Sequence, residues 1–176
     1  MNCYICGGAN LKTIGKKLRY NIDRDILKCK DCEIVYLAPQ PKEWQVYFEN
    51  DYRKLYSPVY GKEKSSREIF DLSLPYQESR INAINDILNK DMRVLDIGAS
   101  SGHFLYAIKD RVKECIALEY NKQDSKFMRE ELELQVYSTP LEQTDLEPES
   151  FDLITAYHLL EHIDQPIDFL KSVNRY

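Results

Sequence analysis

The chain has 176 residues, a formal net charge of −5, 30% charged and 43% hydrophobic residues, which is typical of a globular protein with one ordinary domain or a small module and most of a larger one. The negative charge argues against a nucleic-acid partner, since phosphate binding favours a basic surface. The sequence contains neither an apolar run of membrane-spanning length nor a secretory signal. We therefore predict a cytoplasmic protein with no membrane partner.

Four of the five cysteines form two C-x2-C pairs, Cys3/Cys6 and Cys29/Cys32. Two residues between paired ligands let one tight turn direct both sulfur atoms at the same ion, and structural zinc prefers four tetrahedral thiolates. Without an export signal, such pairs indicate a metal, with two disulfides or free thiols as the alternatives. The sequence therefore predicts a structural zinc ion in a module of residues 1–40.

The residues after each pair support this prediction unequally. Gly7 and Gly8 follow the first pair, where a tight turn needs small residues, whereas Glu33 follows the second pair in place of the usual glycine. Four thiolates leave no open position on the metal, so we expect the zinc to stabilise a module too small to bury a core of its own.

Residues 41–75 are rich in tyrosine and are punctuated by prolines. This composition predicts a helical or irregular connector that packs on, or covers, the part that follows. Tyr52 and Tyr56 are four residues apart and are candidates for a substrate entrance, although tyrosines in such a segment more often serve packing.

From residue 76 to residue 176 the apolar pattern alternates between helix and strand. Strands that alternate with helices predict an α/β fold with a doubly wound parallel sheet, similar to a Rossmann fold. The predicted elements are a helix over 76–90, a strand over 92–98, a helix over 103–110, a strand over 114–120, a helix ending at 131, a strand over 132–137, a strand over 151–157 and a helix within 163–176.

The segment VLDIGASSGHF joins the first of these strands to a helix. It carries Gly98 and Gly102 with Ser100 between them, so the G-x-G-x-x-G fingerprint of dinucleotide binding is absent. Asp96 lies just before the turn, where it would repel a pyrophosphate but could orient the amino group of a cationic ligand. Glu119 ends the next strand, where a carboxylate can bind two ribose hydroxyls. These features favour S-adenosylmethionine over NAD.

VLDIGASSGHF resembles the first motif of class I S-adenosylmethionine-dependent methyltransferases. ALEYN resembles the second motif and FDLITAYHLLEHIDQP the fourth, so that the resemblance covers residues 78–176. The upstream cysteines and the tyrosine-rich connector are similar to a bacterial group that includes sugar C-methyltransferases and enzymes of surface-polysaccharide gene clusters. The resemblance implies a methyltransferase acting on a small molecule, such as a nucleotide-linked sugar or a precursor of surface polysaccharide.

The resemblance also implies roles for individual residues. The glycines would shape the cofactor loop, Asp96 would hold the methionine amino end, Glu119 would bind the ribose and Leu141 would contact the adenine. Tyr157 and His158 would face the transferring methyl group. The full set of predicted cofactor contacts is Asp96, Gly98, Ala99, Ser100, Gly102, Glu119, Tyr120, Leu141 and Tyr157.

His158, Glu161 and His162 form an H-x-x-E-H pattern, which a helix would place on one face. In the sugar C-methyltransferases, a Glu-His pair like Glu161–His162 is associated with deprotonation of the substrate carbon. These three residues are therefore the catalytic candidates. The alternative is that Glu161 and His162 satisfy backbone groups at the start of a helix. The pattern is a weak signal for a metal.

The resemblance further implies a seven-stranded sheet, of which the sequence supplies four strands. We therefore expect the family's fold to continue beyond Tyr176, and the 176-residue piece to be poorly active. Two other functions stay open at this point. One is a non-catalytic binding protein with a zinc module, and the other is an NAD-dependent sugar oxidoreductase. The acceptor atom and the oligomeric state are not encoded in any motif.

Overall fold

The computed structural model describes residues 1–18, 23–39 and 62–176, which form two sheets. The first sheet has the strand order β1-β2-β3, and the second has the order β6-β5-β4-β7. The strands are β1 (Leu11–Lys17), β2 (Asp23–Cys29), β3 (Val35–Leu37), β4 (Arg93–Ile97), β5 (Glu114–Leu118), β6 (Gln135–Tyr137) and β7 (Leu153–Thr155).

The N-terminal sheet is antiparallel, with β2 in the centre. Its small core consists of Cys3, Leu27, Cys29 and Tyr36. Strand β1 has no buried residue, and its pairing with β2 is irregular around Gly15. The sequence predicted strands at β2 and β3 but not at β1, because an exposed strand lacks the apolar alternation on which such a prediction depends.

The second sheet is parallel throughout, and its strands alternate with helices. The predicted α/β fold with four parallel strands, preceded by a small cysteine-bearing module, is thus confirmed. The helices are α1 (Ser66–Ser73), α2 (Glu78–Ile84), α3 (His103–Ile108), α4 (Lys122–Glu131) and α5 (Pro166–Val173).

Both faces of the parallel sheet are covered. Val94 of β4 belongs to a buried cluster with residues of α3 and α4, including Phe104 and Met128. Leu95 points to the opposite face, where it belongs to a second cluster against which Phe169 of α5 packs. Successive side chains of a strand point to opposite faces, so the buried residues of β4 serve two cores at once.

Helix α1 lies within the predicted connector and packs on the layer of α3 and α4. Its N-terminus has a capping box, in which Ser65 and Glu68 satisfy each other's backbone N–H groups. The ring of Phe70 contacts Phe127 at 5.6 Å and Tyr106 at 5.2 Å between centroids. Residues 40–61 lie outside the described part, so the three-part division of the chain stays a prediction.

Helix α2 ends at Ile84, whereas the sequence predicted a helix to residue 90. After Ile84 the backbone tightens, with the N–H of Ile87 donating to its carbonyl oxygen at 3.1 Å. The side chain of Asn89 then accepts from the N–H of Asp91 at 3.0 Å. Polar side chains that bind nearby backbone groups compete with the helix in this way. None of the helices in the described ranges is long and apolar enough to cross a bilayer.

Gly102 is the position at which the fold is most sensitive to an added methyl group. Its φ is +76°, and a Cβ atom there would lie 2.8 Å from Cγ of fully buried Met128. We expect Gly102→Ala to lower the free energy of unfolding by about 2–4 kcal/mol, through left-handed strain and overpacking. Urea denaturation measures this change.

Ser100→Gly is the matched variant in the same turn. Ser100 also has a positive φ, +52°, so glycine relieves strain there, and we expect no loss of stability. An equal loss in both variants would contradict a conformational origin for the effect.

Candidate cofactor site and zinc centre

The carboxyl edge of the parallel sheet brings the predicted cofactor residues together. Strands β4 and β5 pair in parallel up to Ile97 and Leu118, so Asp96 and Glu119 lie near the same edge. Tyr157 follows β7, which pairs with the other side of β4. In open α/β sheets, ligands bind outside this edge.

The turn after β4 is tight and is fixed by backbone hydrogen bonds. Gly98 has a φ of +75°, and its N–H donates to the carbonyl oxygen of Leu118 at 2.8 Å. The N–H of Gly102 donates to the carbonyl oxygen of Ala99 at 2.9 Å, immediately before α3 begins. The positive φ favours glycine at this position, and a Cβ atom there would press on the tip of the Leu159 side chain at 3.2 Å.

The carboxylate of Glu119 is held across the mouth of this turn. One oxygen accepts from the N–H of Ser100 and the other from the N–H of Asn121, each at 2.7 Å. Asn121 in turn caps α4, its side chain accepting from the N–H groups of Gln123 and Asp124. An ionised carboxylate has about four acceptor positions, so two backbone donors orient the group without exhausting its capacity.

Asp96 is the buried acid of the site, with 3% of its surface exposed. Burial raises the pKa of Asp96 to about 7, against the opposing effects of a hydrogen bond from Thr155 and the positive charge of Arg80. The hydroxyl of Thr155 donates to a carboxylate oxygen at 2.7 Å. A cationic group bound next to Asp96 would therefore favour its ionised form near neutral pH.

Arg80 belongs to this site, although the sequence did not single it out. Its guanidinium carbon lies 4.4 Å from the centroid of the Tyr157 ring, and its Nη1 donates to Gln77 at 3.1 Å. The Tyr157 ring also packs edge-on against Phe104 at 5.0 Å. No local pattern in the sequence marks Arg80, because its partners Tyr157 and Asp96 lie far along the chain.

A cleft of about 500 Å³ lies beside the glycine turn, not over it. It shares Arg80 and His103 with the turn region, and it is open to solvent. Its lining consists of Lys64, Leu72, Ser73, Tyr76, Gln77, Arg80 and His103.

The remaining predicted cofactor contacts lie in or against the core. Ala99 and Leu141 are 3% and 4% exposed, and Tyr120 packs partly buried against the cluster that contains Leu141. Leu141 would therefore form part of the wall of a ligand site and not an exposed contact. The ligand roles of all three residues stay predictions.

The three catalytic candidates do not share one face of an α-helix, so that expectation is wrong. His158 has a φ of +55°, and Leu160–His162 form a short 3-10 helix. His158 is largely exposed and faces Glu161 at 3.5 Å, whereas His162 is partly buried. Burial lowers the pKa of His162, an effect that the charge of Glu161 opposes. Its imidazole is therefore neutral at pH 7.

The four paired cysteines converge as predicted. The Sγ atoms of Cys3 and Cys32 are 3.7 Å apart, as are those of Cys6 and Cys29, and all four lie within 4.8 Å of one another. Four thiolates about 2.3 Å from a zinc ion have sulfur–sulfur separations of about 3.8 Å in a regular tetrahedron. The arrangement therefore fits one zinc ion.

Backbone groups complete this centre. The N–H groups of Gly8 and Asp31 each donate to a cysteine sulfur atom at 3.4 Å, as expected for thiolates that are oriented by a surrounding shell. A Cβ atom on Gly8 would lie 2.1 Å from the Asp31 carboxylate, so a larger residue there would displace the Asp31 side chain. Glu33 has a φ of +63°, the conformation for which glycine is usual.

Within the described ranges, the cysteines are the one group of side chains arranged to hold a metal, and the histidine pattern is not such a group. Tyr52 and Tyr56 lie outside the described residues. Their proposed place at a substrate entrance stays a prediction.

The parallel sheet, its flanking helices and the glycine turn after β4 define a domain of the Rossmann-like class. The sequence profile of the methyltransferase domain family matches residues 73–176, so the chain belongs to this family. No curated protein sequence matches the chain.

Solved S-adenosylmethionine-dependent methyltransferases share the fold. One from Thermotoga maritima is 22% identical, with a TM-score of 0.51, over 75% of this chain and 55% of that chain. One from Archaeoglobus fulgidus is 23% identical, with a TM-score of 0.50, over 71% and 53% of the two chains. One from Aquifex aeolicus is 18% identical, with a TM-score of 0.51, over 64% and 66%. The chain spans about half the length of the solved structures it matches.

The raised pKa of Asp96 predicts a pH-dependent cost to the fold. The folded state binds the proton up to about pH 7, whereas the unfolded state releases it near pH 4. This group therefore makes the free energy of unfolding fall as pH rises from 4 to 7, with no further loss above 7. We expect the free energy of unfolding of Asp96→Asn, minus that of the wild type, to rise between pH 5 and pH 7 and then level off. Urea denaturation at several pH values measures this difference. A difference independent of pH would contradict this assignment.

Proposed function

We propose that this chain carries the cofactor site of an S-adenosylmethionine-dependent methyltransferase that acts on a small molecule. The observation that carries the proposal is the pair of acids, Asp96 and Glu119, on either side of a tight glycine turn at the sheet edge. Membership in the methyltransferase domain family supports it.

The two acids and Arg80 suit the two ends of the cofactor. Glu119, fixed by two backbone N–H groups at the mouth of the turn, would accept hydrogen bonds from the ribose hydroxyls. Asp96 would attract the amino group, and Arg80 would attract the carboxylate of the methionine end. An acid just before the turn would repel a pyrophosphate, which disfavours a dinucleotide.

When bound, the cofactor supplies a methyl group on a sulfonium, which a nucleophilic carbon or oxygen of the acceptor attacks in line. The residues of the chain would mainly align the two partners, and alignment alone can account for a large part of the rate. Tyr157, packed between Phe104 and Arg80, would form a rigid wall beside the methyl group.

His162 is the candidate general base for this reaction. Its imidazole is neutral at pH 7 because burial lowers its pKa, and Glu161 lies next to it in the same turn. A base is needed for methylation of carbon, whereas methylation of oxygen needs less help. His158 has a positive φ and an exposed ring, so it would serve as a neighbour of Glu161 and not as the base.

The acceptor in this proposal is a nucleotide-linked sugar or a related precursor of surface polysaccharide. The support is the resemblance to bacterial enzymes in which a cysteine quartet and a tyrosine-rich connector precede the methyltransferase motifs. Zinc, held by the four cysteines, would stabilise the N-terminal module and take no part in the chemistry, because four thiolates complete its coordination.

The proposed cofactor site is tested by comparing ligands with and without the amino-acid end of the cofactor. By calorimetry, we expect micromolar binding of S-adenosylhomocysteine and no binding of NADH. Arg80→Met should weaken binding of S-adenosylhomocysteine by about tenfold or more, the cost of one hydrogen bond to a charged group. Methylthioadenosine has no amino-acid end, so its affinity should not change in this variant. Glu119→Gln should weaken the binding of both S-adenosylhomocysteine and methylthioadenosine.

The outcomes separate the proposed function from its alternatives. Binding of NADH would support an oxidoreductase, and binding of neither ligand would support a non-catalytic scaffold. If Arg80→Met weakened the binding of S-adenosylhomocysteine and methylthioadenosine equally, the assignment of Arg80 to the methionine end would be wrong. The assignment of the cofactor would still stand.

The role of His162 is tested with labelled S-adenosylmethionine and a panel of nucleotide-linked sugars. With any acceptor found, we expect His162→Asn to lower kcat by about 10²-fold to 10⁴-fold, typical of a general base, without changing cofactor affinity. The wild-type rate should fall as acid protonates His162. His158→Asn, at an exposed position of the same segment, is the matched control. Equal effects of the two variants would contradict the assignment.

A further inference from the structure

A buried cation of the zinc module reaches the segment that carries the catalytic candidates. Arg24 lies at the start of β2, the strand that ends at the zinc ligand Cys29. Only 10% of its side chain is exposed. Its Nε donates to the carbonyl oxygen of Ala38 at 2.7 Å, and its Nη2 donates to Oδ1 of Asp164 at 3.3 Å. One guanidinium therefore ties the module to a position 140 residues further along the chain.

Asp164 lies in the segment between the Leu160–His162 turn and α5, which we call the 158–165 segment. No residue of this segment is fully buried, and neither the turn nor α5 has a side-chain cap at its N-terminus. Leu159 is the one residue of the segment that packs against a core cluster, so the hydrophobic core holds the segment at its start and not around Asp164. A contact from outside has a correspondingly large effect on its order.

The contact also brings Arg24 close to a catalytic candidate. The positive charge of Arg24 acts on His162, helping burial to lower the pKa of that imidazole. The start of β2 and the 158–165 segment thus meet at the ion pair of Arg24 and Asp164.

Removing either partner of the Arg24–Asp164 ion pair is expected to cost free energy. A guanidinium removed from water is costly unless charged or polar partners compensate it. Among the described residues, Arg24 has one such partner in its own module, the carbonyl of Ala38, and one in the segment, Asp164. Loss of Asp164 would leave a largely buried charge without this carboxylate, and loss of Arg24 would remove this tie between the module and the segment.

We propose that Arg24 is a positioning residue through which the zinc module orders the 158–165 segment and so places Glu161 and His162. Metal loading of the cysteines fixes β2, and β2 carries the guanidinium that holds Asp164. The inference rests on the proposed function only in treating the segment as part of the active site. Its order is measured without any methyl transfer.

Hydrogen exchange on the zinc-loaded chain, read by mass spectrometry, tests the proposal. We expect Arg24→Gln and Asp164→Asn each to accelerate exchange in peptides covering 158–165 by about tenfold, the factor for one charged hydrogen bond. The double variant should exchange no faster than either single one, because both remove the same contact. Arg24→Lys should restore part of the protection.

Controls separate this effect from general unfolding. Peptides covering β4 and β5 should keep their exchange rates, and the metal content should stay at one zinc per chain. Lys28→Gln, at a position on β2 whose ion pair with Glu33 is exposed, should change nothing in the segment. Unchanged exchange in both single variants, or additive effects in the double variant, would overturn the proposal.

Removal of zinc by a chelator gives a second readout. In the wild type, loss of the metal should accelerate exchange in the 158–165 segment, whereas in Arg24→Gln it should add little. Equal acceleration in both proteins would show that the module acts on the segment by another route. Because S-adenosylhomocysteine affinity is measured separately, failure of this inference and failure of the proposed function give different results.

Discussion

Parallel pairing of β4 with β5 is the constraint on which the candidate site depends. The register places Asp96 opposite Ala117 and ends both strands at one level, so that the glycine turn passes directly over the start of the Glu119 loop. A slip of one residue would turn every side chain of β4 to the opposite face. Asp96 would then enter the apolar cluster around Leu95, and the hydrogen bond from Thr155 would be lost. The buried runs on both faces of β4 make such a slip costly.

This register gives two similar side chains different properties. Asp96 is enclosed by the sheet and its helices, and burial makes it a weak acid. Glu119 sits one strand away, where two backbone N–H groups fix the orientation of its carboxylate. A carboxyl group can therefore serve as a group that titrates near neutral pH at Asp96 and as an oriented hydrogen-bond acceptor at Glu119. Surroundings, more than residue type, assign these roles.

The sheet and the acidic pair were predictable because they rest on local signals. Buried runs such as VLDI, the two glycines and an acid at the end of the following strand are visible within short windows of sequence. Arg80 and Thr155 gave no such signal, because their roles arise from partners that lie far away along the chain. The geometry of His158 was mispredicted for a related reason. Helical spacing assumes a continuous helix, and the positive φ of His158 breaks it.

The small size of the N-terminal module has a consequence for its stability. Of the four side chains in its core, two belong to cysteines of the proposed zinc site, Cys3 and Cys29, so the hydrophobic core and that site share atoms. Oxidation of the sulfur atoms would remove the ligands, because thiolates are the species that bind zinc. With zinc bound, the stability of this module would therefore depend on the redox potential of its surroundings. The parallel sheet, whose clusters contain no metal ligand, does not share this dependence.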